Sequence, residues 1–113
     1  MNGVAKVVRT EDNVANMVGP GRKGQRVNCV IEDRFRNEVL LLEDVPANHK
    51  FALRYIGRGE PVIKYGCPIG TASRDIRKGE YVHIHNVESK RGRGDLARLS
   101  TGRSQQMEKV QCL

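Results

Sequence analysis

Ile56-Gly57-Arg58-Gly59-Glu60-Pro61-Val62 is echoed twenty residues later by Ile76-Arg77-Lys78-Gly79-Glu80-Tyr81-Val82. The shared pattern is Ile, a basic residue, Gly, Glu, any residue, Val. A weaker copy, Val45-Pro46-Ala47-Asn48-His49-Lys50, precedes both. In each copy an apolar residue leads into a turn closed by Gly59, Gly79 or Asn48, and a strand-like run follows. Gly adopts positive φ without a steric penalty, and Asn is among the best non-Gly residues there, so the three positions are expected to share one left-handed turn. Apolar runs alternate with turn signals at intervals of roughly ten residues across 30–87, which is the pattern of an all-β chain. No helical period of roughly 10–15 residues separates the runs, which excludes a parallel α/β fold. The expected fold is a small, turn-rich all-β domain of repeated strand–turn–strand units.

Upstream of the echo lie a strand candidate (Val4 to Val8), a polar turn (Glu11-Asp12-Asn13) and a Gly-rich stretch, Gly19-Pro20-Gly21 with Gly24. Downstream, periodicity ends near residue 88. Gly92, Gly94 and Gly102 punctuate a polar, basic segment in which Asp95 to Leu99 has room for one helical turn. The expected organisation is therefore a domain over 1–93 and a basic tail over 94–113, mobile or ordered by a partner. Of the net charge of +7, the segment from Lys90 onward holds +4, six Lys/Arg against two acids, so the body is close to neutral. Such an arm suits RNA or an acidic protein surface. Phe35, Phe51, Tyr55, Tyr65 and Tyr81 form no run that could stack on bases, so nucleic acid is not the favoured partner.

A length of 113 residues with 38% hydrophobic and 4% aromatic residues supports one aliphatic core and excludes an enzyme with separate cofactor and substrate domains. No apolar run approaches the ~18 residues of a membrane helix, and Met1 to Thr10 lacks a secretory h-region, so no membrane association is expected. Cys29, Cys67 and Cys112 are odd in number and far apart, without a CxxC pair. A disulfide framework or Cys-rich zinc site is not expected, and a reducing cytoplasm fits.

The chemistry concentrates in Glu80-Tyr81-Val82-His83-Ile84-His85-Asn86. Read as a continuous strand, it puts His83 and His85 side by side on one face and sends Val82 and Ile84 into the core. Two such imidazoles can supply ligands to one metal, or a base and a donor to a substrate; an exposed face that happens to carry two histidines is the bland alternative. A catalytic metal usually takes about three protein ligands, so a metal here would need ligands from another chain. Lys64, in Pro61-Val62-Ile63-Lys64-Tyr65-Gly66, and Lys50 are able to hold a carboxylate, although an exposed lysine is ordinarily just solvated. Gly66, Pro68 and Gly70 read as a tight turn enclosing an inert Cys67. Neither a GxSxG elbow, a P-loop nor a GxGxxG is present.

Taken in order, Asp12-Asn13-Val14-Ala15, Asn48-His49-Lys50-Phe51-Ala52-Leu53, Gly59-Glu60-Pro61-Val62-Ile63-Lys64-Tyr65-Gly66, Pro68-Ile69-Gly70 and Val82-His83-Ile84-His85-Asn86-Val87 resemble the SAF domain of the altronate and galactarate dehydratase family, which includes the (2R)-sulfolactate sulfo-lyases. The resemblance covers about residues 8–94. It implies a β-clip fold and a lyase that eliminates water or sulfite from a sugar acid or sulfonated 2-hydroxy acid. It also implies a divalent metal, Fe2+, and a small subunit, inactive alone, that works with a larger lyase subunit. Carried over by position, His83 and His85 are the catalytic pair, contacting substrate or metal, with the remaining metal ligands supplied by the larger subunit. Asn13, His49, Lys50, Lys64 and Asn86 become substrate-binding. Asn48 stands where the family usually has Gly, and the tail past Arg93 exceeds the pattern. Two other classes stay open, a non-catalytic carbohydrate-binding or active-site-capping module and a basic nucleic-acid-binding protein. Also open are the identity of the hydroxy acid, the leaving group and any self-association of the isolated chain.

Overall fold

The computed structural model describes residues 3–89; the expected boundary at 93/94, the tail and Cys112 lie outside the described residues. Nine strands follow in order: β1 Gly3–Lys6, β2 Val14–Met17, β3 Arg26–Ile31, β4 Arg34–Leu40, β5 Lys50–Ala52, β6 Pro61–Lys64, β7 Cys67–Ala72, β8 Tyr81–Val82 and β9 Val87–Ser89. No helix occurs among the described residues, so none there could cross a membrane. The all-β expectation holds. Six strands form one sheet in the order β4-β3-β1-β2-β5-β8, and three form a second in the order β6-β7-β9. Pairing is antiparallel throughout except between β1 and β3.

The turn unit recurs four times rather than three. Gly24, Asn48, Gly59 and Gly79 have φ of 87°, 67°, 89° and 92°. In every unit the residue after the left-handed one donates its N–H back across the turn: Gln25 to Arg22, His49 to Pro46, Glu60 to Gly57 and Glu80 to Arg77. The units associate in pairs through isolated two-bond bridges, Gly21 with Val45 and Ile56 with Ile76. Asp44 Oδ1 accepts from the Lys23 N–H and Asp75 Oδ1 from the Arg58 N–H, so one side chain in each pair fastens the opposite turn. These bonds pair backbone groups that no strand ladder reaches.

Strand alternation builds two cores. Ala5, Ala15, Met17, Val27, Cys29, Val39, Leu41, Val45 and Phe51 pack on one side of the large sheet. Val14, Ala52, Ile56, Val62, Ala72, Ile76 and Val82 fill the space against the small sheet. Burial pushes the Cys29 thiol up to about 11, the state of a packing residue and not a nucleophile. Neither Cys29 nor Cys67 is in a disulfide.

Two expectations need correction. The tight turn near Gly66 consists of Tyr65 and Gly66, at φ of 59° and 74°, between the paired residues Lys64 and Cys67. Positive φ at both central positions matches the twist of the flanking strands. Cys67, Pro68 and Gly70 therefore belong to β7, where a Cβ on Gly70 would come within 2.6 Å of the Glu88 carbonyl oxygen. Second, the strand carrying the histidines ends at Val82, and residues 83–86 form a turn. Ile84, expected in the core, is 83% exposed.

Candidate functional site

Asn86 makes that turn. Its side-chain oxygen accepts from the His83 N–H at 3.0 Å, and its amide nitrogen donates to the Tyr81 carbonyl at 2.8 Å. Its own N–H donates to the His83 carbonyl at 3.1 Å, closing a four-residue turn with Ile84 and His85 at the apex. Short polar side chains compete with a strand ladder in this way. The consequence is that both imidazoles reach one aromatic ring. Tyr81 stacks on His83, with centroids 5.6 Å apart and planes inclined by 9°, and meets His85 at 5.4 Å.

His49 joins from the neighbouring strand connection. Phe51 pairs with Tyr81 and Lys50 with Val82, so β5 and β8 carry the two turn units side by side. His49 Nδ1 and Tyr81 Oη share a hydrogen bond of 2.6 Å, and the His49 ring lies 5.0 Å from that of His83. Lys50, Ile69, His83, Ile84 and Val87 line a cavity of about 200 Å³ beside this cluster, open on one side. Lys64 sits 4.9 Å over the Tyr65 ring, close enough to act on Lys50.

Two groups of the cluster are electrostatically perturbed. Partial burial holds the Lys50 ammonium below its ordinary range, and Lys64 adds to the shift. Desolvation holds His83 below the usual imidazole value, assisted by His49, Lys50 and His85. In both groups removal from water is the larger cause and the neighbouring basic groups the smaller one, and a carboxylate or sulfonate oxygen bound beside them would favour their charged forms.

The structure thus brings His49, Lys50, His83 and His85 together and puts Lys64 at the margin. It gives the two asparagines a different visible role. Asn13 is 2% exposed; its Oδ1 accepts from the Ile63 N–H at 2.7 Å and its Nδ2 donates to the Pro61 carbonyl at 3.0 Å, so it joins β2 to β6. Asn86, 3% exposed, shapes the histidine turn from behind. Among the described residues no three His, Cys, Asp or Glu side chains converge as a metal site. Tyr81 is the member that sequence reading missed, although its spacing two residues before His83 is the signal of a shared strand face. Asp12 is a second such omission. It is buried, and its carboxylate accepts from the N–H groups of Arg9, Tyr65 and Gly66, holding the turn next to Lys64.

Comparison with known proteins bears on this arrangement. The chain is 39% identical over 83 residues to the (2R)-sulfolactate sulfo-lyase subunit alpha of Chromohalobacter salexigens, covering 72% of this chain and 88% of that protein. It is 42% identical over 78 residues to altronate dehydratase of Escherichia coli, covering 69% of this chain but 15% of that protein. Against altronate dehydratase of Bacillus subtilis it is 33% identical over 82 residues, covering 73% of this chain and 16% of that protein. The sequence profile of the altronate/galactarate dehydratase SAF domain matches residues 5–90, nearly all of the described fold and every residue of the cluster; the chain belongs to that SAF-domain family.

Proposed function

We propose that this chain is the small subunit of a heteromeric lyase that eliminates water or sulfite from a sugar acid or related 2-hydroxy acid. The observation that carries the reading is the cluster of His49, His83 and His85 around Tyr81 with Lys50 on the adjoining cavity wall, on a chain that spans 88% of a sulfo-lyase subunit alpha. The dehydratase relatives carry the matching segment as 15–16% of a much longer chain, which motivates a larger partner subunit here.

The chemistry asks for such groups. Elimination next to a carboxylate builds negative charge on the carboxylate oxygens, and cations or donors aimed there lower the barrier. Lys50, on the cavity wall, would hold the substrate carboxylate as a point charge. His83, kept neutral near pH 7 by its surroundings, is able to accept a proton, and His49 and Tyr81 hold a shared proton next to it. A divalent ion, Fe2+ by the resemblance, enters only as a group whose ligand set the larger subunit would complete. When bound, it would polarise the leaving oxygen and the carboxylate.

Reconstitution tests the reading. The purified chain should show no turnover of altronate, galactarate or sulfolactate, and activity should appear when its larger lyase subunit is added. Turnover by the chain alone, or a larger subunit that is fully active without it, overturns the proposal. Salt-sensitive RNA binding that disappears on deleting residues 94–113 would instead support the nucleic-acid reading.

A further inference from the structure

We infer that Ile84 is the anchor by which this chain docks into an apolar socket of its larger lyase subunit, seating the histidine cluster against that subunit. The inference rests on the subunit reading above and adds the surface and the residue. Ile84 is the most exposed large hydrophobic side chain among the described residues, at 83%, ahead of Phe35 at 64%. It stands at the apex of a four-residue turn, where Gly, Pro, Asn and Asp are the residues that turn geometry rewards. Ile84 belongs to neither of the two cores, so the fold itself has no use for its apolar surface.

The turn is also rigid enough to present a side chain. Asn86 fastens it through three hydrogen bonds to Tyr81 and His83. His83 is in turn stacked on Tyr81. An anchor held this way loses little freedom on docking, so most of its burial appears as affinity. The adjoining cavity, with Ile84 on its rim, holds about 200 Å³ and is open on one side. Ligand sites ordinarily enclose ~300–1,000 Å³, so a second wall is needed, and a surface that receives Ile84 would provide it. Such a surface has an obvious source: in the E. coli and B. subtilis dehydratases the matching segment is 15–16% of a chain whose remainder is a large body. The anchor and the catalytic rings share one turn, so docking and completion of the site become a single event.

The test is the affinity between the purified chain and its separately purified larger lyase subunit, measured by biolayer interferometry. Ile84→Ser should weaken binding about ten- to hundredfold, the loss expected for one buried aliphatic side chain, while its thermal midpoint stays at the wild-type value. Phe35→Ser, on β4 at the opposite edge of the large sheet from β8, should bind like wild type. His83→Ala should assemble yet lose turnover. Ile84→Ser binding within about twofold of wild type overturns the anchor while leaving the subunit reading intact. A wild-type chain that does not bind the larger subunit overturns both. Self-association of the wild-type chain that Ile84→Ser abolishes would make a second copy the occupant and would also overturn the inference.

Discussion

Three of the four turn units close on a side chain, and the fourth does not. Gln25 Oε1 accepts from the Arg22 N–H, Glu60 Oε1 from the Gly57 N–H and Glu80 Oε1 from the Arg77 N–H. In the remaining unit the first turn position is Pro46, which has no N–H to satisfy. The capping position is thereby released from its structural duty, and it is occupied by His49, whose ring reaches Tyr81 instead. A repeated scaffold that needs the same cap at every turn leaves no room for chemistry at that position. Removing that one donor frees the capping position without leaving an N–H for it to satisfy.

The largest effect should fall on catalysis rather than on folding. His83→Ala and His85→Ala remove rings that stand at a surface turn, so each should cost within ~0.5 kcal/mol of stability. In the complex with the larger subunit, each should lower turnover about 10²–10³-fold, as losing one positioned transition-state group does. The double variant should be little worse than either single one, because both rings serve one site. A single variant with near-normal turnover would remove this turn from the site. Unfolding of either would show that the rings carry packing.

Stability should respond next, and unequally, at the left-handed positions. A Cβ on Gly59 meets nothing within 4 Å, so Gly59→Ala should cost only the strain of positive φ, about 1–2 kcal/mol. A Cβ on Gly79 would run into the Leu40 carbonyl, which is backbone and cannot move aside. Gly79→Ala should therefore cost about 3 kcal/mol or prevent folding, since strain and overpacking add. Urea midpoints of the two variants decide the matter. Equal losses would mean that the conformation alone sets the cost.

That contrast also explains what sequence could and could not show. The echo was legible because left-handed turns need Gly or Asn, and Gly59, Gly79 and Asn48 announce themselves. The first unit, Gly21-Arg22-Lys23-Gly24-Gln25, was hidden because it lacks the apolar leading residue. A Cβ at Gly21 would come within 2.5 Å of Leu41 Cδ1 and 3.0 Å of Met17 Cε, so the core itself replaces that side chain. The site was half legible. Alternation through residues 82–85 is a sound strand signal, but the Asn86 amide outcompetes the ladder and turns the chain at His83. Tyr81 and His49 come together only through the pairing of β5 with β8, a contact between positions 32 residues apart that no local pattern carries.

Exchanging the caps gives a smaller effect and a sharper comparison. Glu80→Ala orphans the Arg77 N–H and releases a weak ion pair with Arg77, so it should cost about 1 kcal/mol. His49→Glu combined with Pro46→Arg would rebuild the missing cap. The new bond should offset the flexibility that loss of Pro46 adds to the unfolded chain, roughly 0.4–1 kcal/mol. The double variant should fold with a nearly wild-type midpoint and still fail to support turnover. A large loss of stability would mean that the His49–Tyr81 bond is a structural element equal to the caps.

The smallest expected effect is on the pH dependence of folding. The His83 ring has a folded pKa below its unfolded value, owing first to desolvation and then to the charges of His49, Lys50 and His85. Above about pH 6.5, the ordinary imidazole value, the ring is neutral in both states and its contribution to stability is fully present. As pH falls below that value the unfolded chain takes up the proton first, so stability declines until the folded ring is protonated too. The urea midpoint should thus drop between pH 7.5 and pH 5.5, and His83→Gln should reduce the drop. A bound carboxylate would reverse the argument: it favours the charged ring, raises its pKa, and should stabilise the protein more at pH 5.5 than at pH 7.5. An identical slope in wild type and His83→Gln would mean that the ring is solvated like an isolated histidine, and that the cluster around Tyr81 places no electrostatic load on it.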